Sequence, residues 1–252
     1  MKLAPTSSFL PSQLTLEANA VDVWRGDLEP GRDQMCHLRD SLSPDELDRA
    51  AKFHFLRDRQ RFIAARGILR NILARYIGRS PETIRFSYGP FGKPRLAPSC
   101  AADGLCFNLS HAGSIALYAV ALNREIGIDL ERLDPSFLED RIEEEFFSRN
   151  EIVELRSLPV NARPRAFFNC WTRKEAYVKA LGGGLQISLQ SFDVSLAPGK
   201  APAFLSERES GWSLRALTFP PDYVAAIAAE GKDWQLRLSN RLRFTAKPPL
   251  SG

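Results

Sequence analysis

What most constrains the fold is the order in which two hydrophobic periods alternate along the 252 residues. Within RDRQRFIAARGILRNILARYIG (57–78), Phe62, Ala65, Leu69, Ile72 and Tyr76 recur at helical spacing. Short strand-like runs follow: TIRFSY (83–88), CFNLSH (106–111), IALYAVAL (115–122) and EIGIDLE (125–131), with a turn-rich GPFGKP (89–94) among them. The three runs between 106 and 131 suggest an antiparallel meander. Helical patterns return over 141–158 and 164–182, then strand-like SFDVSLA (191–197), WSLRALTF (212–219), YVAAIAAE (223–230) and WQLRLSN (234–240). Helices then strands, twice over, predict an α+β fold of two pseudo-symmetric halves, 1–124 and 125–245, followed by a flexible tail at 246–252. A cleft between the halves is the natural binding place.

Local signals sharpen the boundaries. Ser43, Pro44 and Glu46 form a capping-box pattern and start a helix, and Gly182, Gly183 and Gly184 stop another. The stretch before Ser43 reads as a polar, loose start. Arg59, Arg66 and Arg70 share one face of the long helix, a basic stripe suited to solvent or to an anionic partner.

The bulk numbers exclude little. With 44% hydrophobic and 25% charged residues the chain is an ordinary globular one. Net charge +4 permits a nucleotide, a nucleic acid or an acidic protein as partner. Cys36, Cys100, Cys106 and Cys170 show neither zinc spacing nor a disulfide framework, and no run resembles a signal peptide or membrane span. These features predict a cytoplasmic protein.

Several residues could do chemistry. In EIGIDLE, alternation sends Ile126, Ile128 and Leu130 to a core and Gly127, Asp129 and Glu131 to the other face. Two carboxylates ~7 Å apart at Cα repel unless a counter-charge intervenes, and a hard cation such as Mg²⁺ would use both as ligands; outward acids on an edge strand look the same. Glu175 and Lys179 are four apart on a helix, the spacing of a site or of a plain surface ion pair. His111, beside Ser110, could be a base, a phosphate contact or a structural histidine. There is no G-x-S-x-G elbow, Walker loop or G-x-G-x-x-G fingerprint.

Taken in order, GKP (92–94), FNLSH (107–111), GIDLE (127–131), FFSRNE (146–151) and WTRKEAYVK (171–179) resemble the motif set of the Sfp-type 4′-phosphopantetheinyl transferases. The resemblance spans most of residues 40 to 200. It implies transfer of the phosphopantetheine arm of coenzyme A to a serine of an apo acyl or peptidyl carrier protein, releasing adenosine 3′,5′-bisphosphate. It also implies two related α+β halves with the coenzyme between them, in a monomer. Asp129, Glu131 and Glu175 resemble the family's Mg²⁺ (or Mn²⁺) ligands. Glu175 also resembles the general base, with Glu151 as competitor, and Lys179 a group on the transferring or leaving phosphate. Asn108, Ser110 and His111 resemble coenzyme contacts, as do Gly92, Lys93 and Pro94 of the nucleotide loop, Arg57 and Lys174. Ala112 stands where the family often has Ser.

Two other classes remain open at this point. A metal-dependent phosphatase or nuclease would also cluster carboxylates around Mg²⁺. A nucleic-acid-binding module would use the arginine stripe and show steep salt dependence. The motif set taken together points away from both.

Overall fold

A computed structural model describes residues 13–100, 104–134, 141–218 and 220–239. The predicted tail at 246–252 lies outside the described residues.

The core is organised around two long helices, each laid on a sheet. Helix α3 (Leu56–Ile77) follows α1 (Arg32–Asp40) and α2 (Pro44–Ala51), and α2 opens on the predicted Ser43–Glu46 capping box. The α3 side chains Ile68, Leu69 and Ile72 pack with Trp24, Tyr118 and Val120 of the first sheet. That sheet has the order β4 (Leu105–Ala112), β5 (Ile115–Leu122), β1 (Ala20–Asp27), β9 (Gln235–Ser239), and β9 joins β1 in parallel. A small hairpin, β2 (Phe86–Tyr88) with β3 (Pro94–Leu96), carries the GPFGKP turn.

In the second layer pair, β6 (Ile126–Arg132), β8 (Tyr223–Glu230) and β7 (Trp212–Leu217) form an antiparallel sheet in the order β6-β8-β7. Short α4 (Glu143–Phe146), α5 (Arg149–Ser157) and the 19-residue α6 (Arg163–Leu181) precede its last two strands. The α6 residues Phe167, Phe168 and Ala176 cover Ala226 and Ala228. A third core joins the sheets: Val21, Val23, Leu117 and Ala119 of the first meet Ile126, Ile128, Leu130 and Ile227 of the second. The result is an α+β molecule, helix and sheet twice.

Several expectations fail for identifiable reasons. The loose start contains β1, a central strand whose alternation is masked by Asp22. That carboxylate is buried because Tyr76 donates to it at 2.6 Å and Arg237 at 2.6 Å. The meander stops after β5: β6 leaves the first sheet and pairs with β8. The helix expected over 141–158 is broken at Phe147, which is extended, because Ser148 accepts from the Glu151 amide and Glu151 accepts from the Ser148 amide, a second capping box. SFDVSLA contributes one isolated bridge, Val194 to Phe204, and no strand.

Two of the three stripe arginines face inward, while Arg59 stays partly exposed. Arg66 and Arg70 converge on Glu46 at 2.6 and 2.5 Å, all three buried, and both guanidiniums lie over the Phe86 ring. The burial pressing Glu46 towards its neutral form is outweighed by the two cations, which hold its carboxyl below the usual range.

Candidate active site

The site is built where α6 crosses β6. Gly127 makes the crossing possible: a Cβ there would lie 2.0 Å from the Ala176 carbonyl oxygen and 2.4 Å from the Ala180 nitrogen. With no side chain in the way, the small Ala176 and Ala180 seat the helix on the strand. Glu175 and Lys179, four apart, then border the contact on the side of Asp129.

Lys179 donates to Asp129 Oδ1 at 2.5 Å and to Ser110 Oγ at 3.1 Å, and Ser110 donates to the same Oδ1 at 3.0 Å. Asp129 is 2% exposed, and among the described residues its Oδ2 has no hydrogen-bond partner. A buried carboxylate oxygen left bare is costly unless something else binds it. Glu131 is pushed up to about 7 by burial first, then by the Asp129 charge, against the pull of Lys179 and the Trp171 indole, with Glu175 adding to the rise. Glu175 is likewise raised by burial and by Asp129, with Lys179 opposing. Three carboxylates therefore feel one another in a place with a single ammonium.

The donor chemistry fits a hard divalent cation: oxygen ligands, an unpartnered oxygen, and charge repulsion that a cation would relieve. Among the described residues no three such groups already stand close enough together to enclose an ion.

The other expected residues divide. Ser110 joins the cluster. Asn108, on the same face of β4, accepts from the Ile128 amide at 2.9 Å and so fastens β6 beside β4. His111 points the other way along the strand, at the surface; partial desolvation, Lys179 and Arg61 hold its imidazole below the usual value. Arg57 is exposed on the first turn of α3 and lines a cavity of about 490 Å³ with Leu28, Pro30 and Met35. Pro94 and Lys93 line a smaller one of about 210 Å³ beside β4, and Gly92 is exposed in the turn before it with φ 81°. Neither cavity is lined by Asp129, Glu131 or Glu175.

Two expected residues turn inward. Lys174 spends its ammonium inside the protein, where it is 0% exposed and bonds the Leu189 and Phe192 carbonyls and Glu151. Glu151, the expected competitor for general base, is 1% exposed and holds that ammonium at 2.7 Å, with the Ser148 and Val194 amides. The pair fastens α5 and the 189–194 segment to the back of α6. Lys93 also keeps its ammonium inside, on Glu125 and two backbone carbonyls. Two contributors escape the sequence reading: Trp171, which hydrogen-bonds Glu131, and Arg61, which sits near His111 and pairs with Glu29 at 2.6 Å. Arg61 was visible in RDRQRF but falls outside the phase shared by Arg59, Arg66 and Arg70.

Comparison with known proteins places similarity along most of the chain. Residues 125–228 match the 4′-phosphopantetheinyl transferase superfamily, and residues 26–123 match the family described as 4′-phosphopantetheinyl transferase, N-terminal. The chain is 43% identical over 225 residues to 4′-phosphopantetheinyl transferase HetI of Nostoc sp., covering 89% of this chain and 94% of that protein. It is 32% identical over 204 residues to psf-1 of Bacillus pumilus, covering 80% and 84%. With Sfp of Bacillus subtilis the figures are 29% over 194 residues, covering 77% and 84%. On this similarity, which runs along nearly the whole of the chain, the protein belongs to the 4′-phosphopantetheinyl transferase superfamily.

Proposed function

We propose that this protein transfers the 4′-phosphopantetheine arm of coenzyme A to a serine of an apo acyl or peptidyl carrier protein, releasing adenosine 3′,5′-bisphosphate. The observation that carries the reading is the Asp129, Glu131, Glu175 and Lys179 cluster, with its bare Asp129 oxygen, in a chain of this family. Asp129, Glu131 and Glu175 would hold Mg²⁺ or Mn²⁺. The ion would supply charge compensation to the coenzyme pyrophosphate and to the leaving phosphate.

The residues' own tasks follow from their surroundings. Glu175, whose carboxyl is raised by burial and by Asp129, has the proton affinity expected of a base and takes the proton of the attacking serine hydroxyl. Lys179, held by Asp129 and Ser110, presents a fixed positive charge to the transferring phosphoryl group. His111 and Arg61 bind a coenzyme phosphate on the neighbouring face, and the Gly92–Pro94 turn offers backbone to the nucleotide. The coenzyme lies between halves 1–124 and 125–245 of a cytoplasmic monomer. No helix among the described residues is long and apolar enough to cross a membrane. The inward-turned Arg66 and Arg70 remove the main support for a nucleic-acid surface.

The test is intact-mass spectrometry of apo carrier proteins incubated with this protein, coenzyme A and Mg²⁺, beside an EDTA control. A gain of one phosphopantetheine arm, abolished by EDTA, is expected. Glu175→Gln should slow the gain by about 10²–10⁴-fold. No gain on several unrelated carriers, with no binding of coenzyme A, rejects the reading.

A further inference from the structure

The Lys93 ammonium sits at a junction that the chemistry above does not use. Its side chain is 9% exposed and donates three hydrogen bonds: to Glu125 Oε2 at 2.8 Å, to the Ile126 carbonyl at 3.3 Å and to the Ala180 carbonyl at 2.7 Å. An ammonium has three donors, so all are spent on the protein. Ile126 opens β6, the strand of Asp129 and Glu131. Ala180 follows Lys179 in the last turn of α6, where carbonyls lack helical partners and a cation is favoured. One side chain from the first half thus grips both elements that carry the carboxylates.

The turn around Lys93 is shaped to this task. A Cβ on Gly182, the left-handed residue closing α6, would sit 3.1 Å from Lys93 Cδ, and one on Gly184 would sit 3.1 Å from Phe91 Cβ. The GPFGKP turn and the triple-glycine stop therefore interlock. Arg95 adds a second cation on Glu125 at 2.7 Å, which anchors the far side of the same joint.

We propose that the Lys93 side chain is a positioning group, acting through α6 and β6 to set Lys179 and Glu175 against Asp129, and that its ammonium, unlike the backbone of its turn, is not a contact of the coenzyme. The proposal rests on the transferase reading for its catalytic consequence and on the hydrogen bonds alone for its structural one. Because misplacing reacting groups by about 1 Å can cost two orders of magnitude, loss of the strut should appear in turnover before it appears in nucleotide binding.

The experiment compares wild type, Lys93→Met and the milder Lys93→Gln, which keeps donors for the carbonyls without the charge. Three quantities are read: kcat of carrier modification, the dissociation constant of adenosine 3′,5′-bisphosphate by calorimetry, and amide hydrogen exchange in residues 178–182. For Lys93→Met the expected result is a kcat loss of about tenfold or more, an unchanged dissociation constant and faster exchange in that turn. Lys93→Gln should show the same pattern at smaller size, and it carries the test should Lys93→Met not fold. A dissociation constant raised about tenfold with exchange unchanged would make Lys93 a coenzyme contact and overturn the proposal. So would three unmoved quantities. If wild type itself modifies no carrier, the functional reading fails, while exchange and nucleotide binding still decide whether Lys93 is a strut.

Discussion

Glu46 shows how a single residue can serve a helix end and a core at once. Its carboxylate closes the α2 capping box through the Ser43 amide and neutralises Arg66 and Arg70. Replacing it with Gln leaves two buried guanidiniums without a counter-charge, so Glu46→Gln should destabilise the fold by about 3–5 kcal/mol at neutral pH in urea denaturation. The pH dependence has a defined sign. The folded-state pKa lies below the unfolded one, so the stabilisation is complete above the unfolded value and is lost as pH falls through the folded value. The gap between wild type and Glu46→Gln should accordingly narrow on acidification below pH 4.5. The sequence disclosed the capping role, since spacing alone encodes it. It did not disclose the ion pairs, because Arg66 and Arg70 on a helix look alike whether they face water or a carboxylate 20 and 24 residues away.

At the scale of elements, the decisive contact is α6 on β6, and it depends on a hydrogen atom in place of a side chain. Gly127→Ala places a methyl group 2.0 Å from a helix carbonyl, so helix and strand must separate. We expect about a hundredfold loss of carrier modification together with a lowered melting temperature, measured by mass spectrometry and thermal unfolding. A Gly127→Ala protein with full turnover would show that the crossing tolerates displacement. The strand and helix were each legible: the 126–132 alternation and the 163–181 helix appear where their periods predict. Their crossing was not, because nothing local in GIDLE states which element its polar face meets. The same limit explains Lys174 and Glu151. The family resemblance implied chemistry for both, whereas the fold turns both into the back wall of α6, away from the cluster.

For the whole molecule, β9 is the closing piece. It comes from the end of the second half yet lies parallel to β1 in the first sheet, and Arg237 reaches across to Asp22, already bonded by Tyr76. Arg237→Met removes the half-exposed cation from this buried carboxylate and should cost about 1–3 kcal/mol, loosening both halves in one transition by circular dichroism and by hydrogen exchange in β1. Two separate transitions would mean that β9 does not couple the halves. The alternation of helical and strand periods determined by itself that the chain is α+β with helix and sheet twice over, since period is a local property of side-chain placement. The ordered motifs likewise determined the family. Only the tertiary structure decided that β1 is a central strand, that β6 leaves its neighbours in sequence, and which charged residues turn outward to the site. Those outcomes depend on partners distant in sequence, whose burial and charge compensation no local pattern carries.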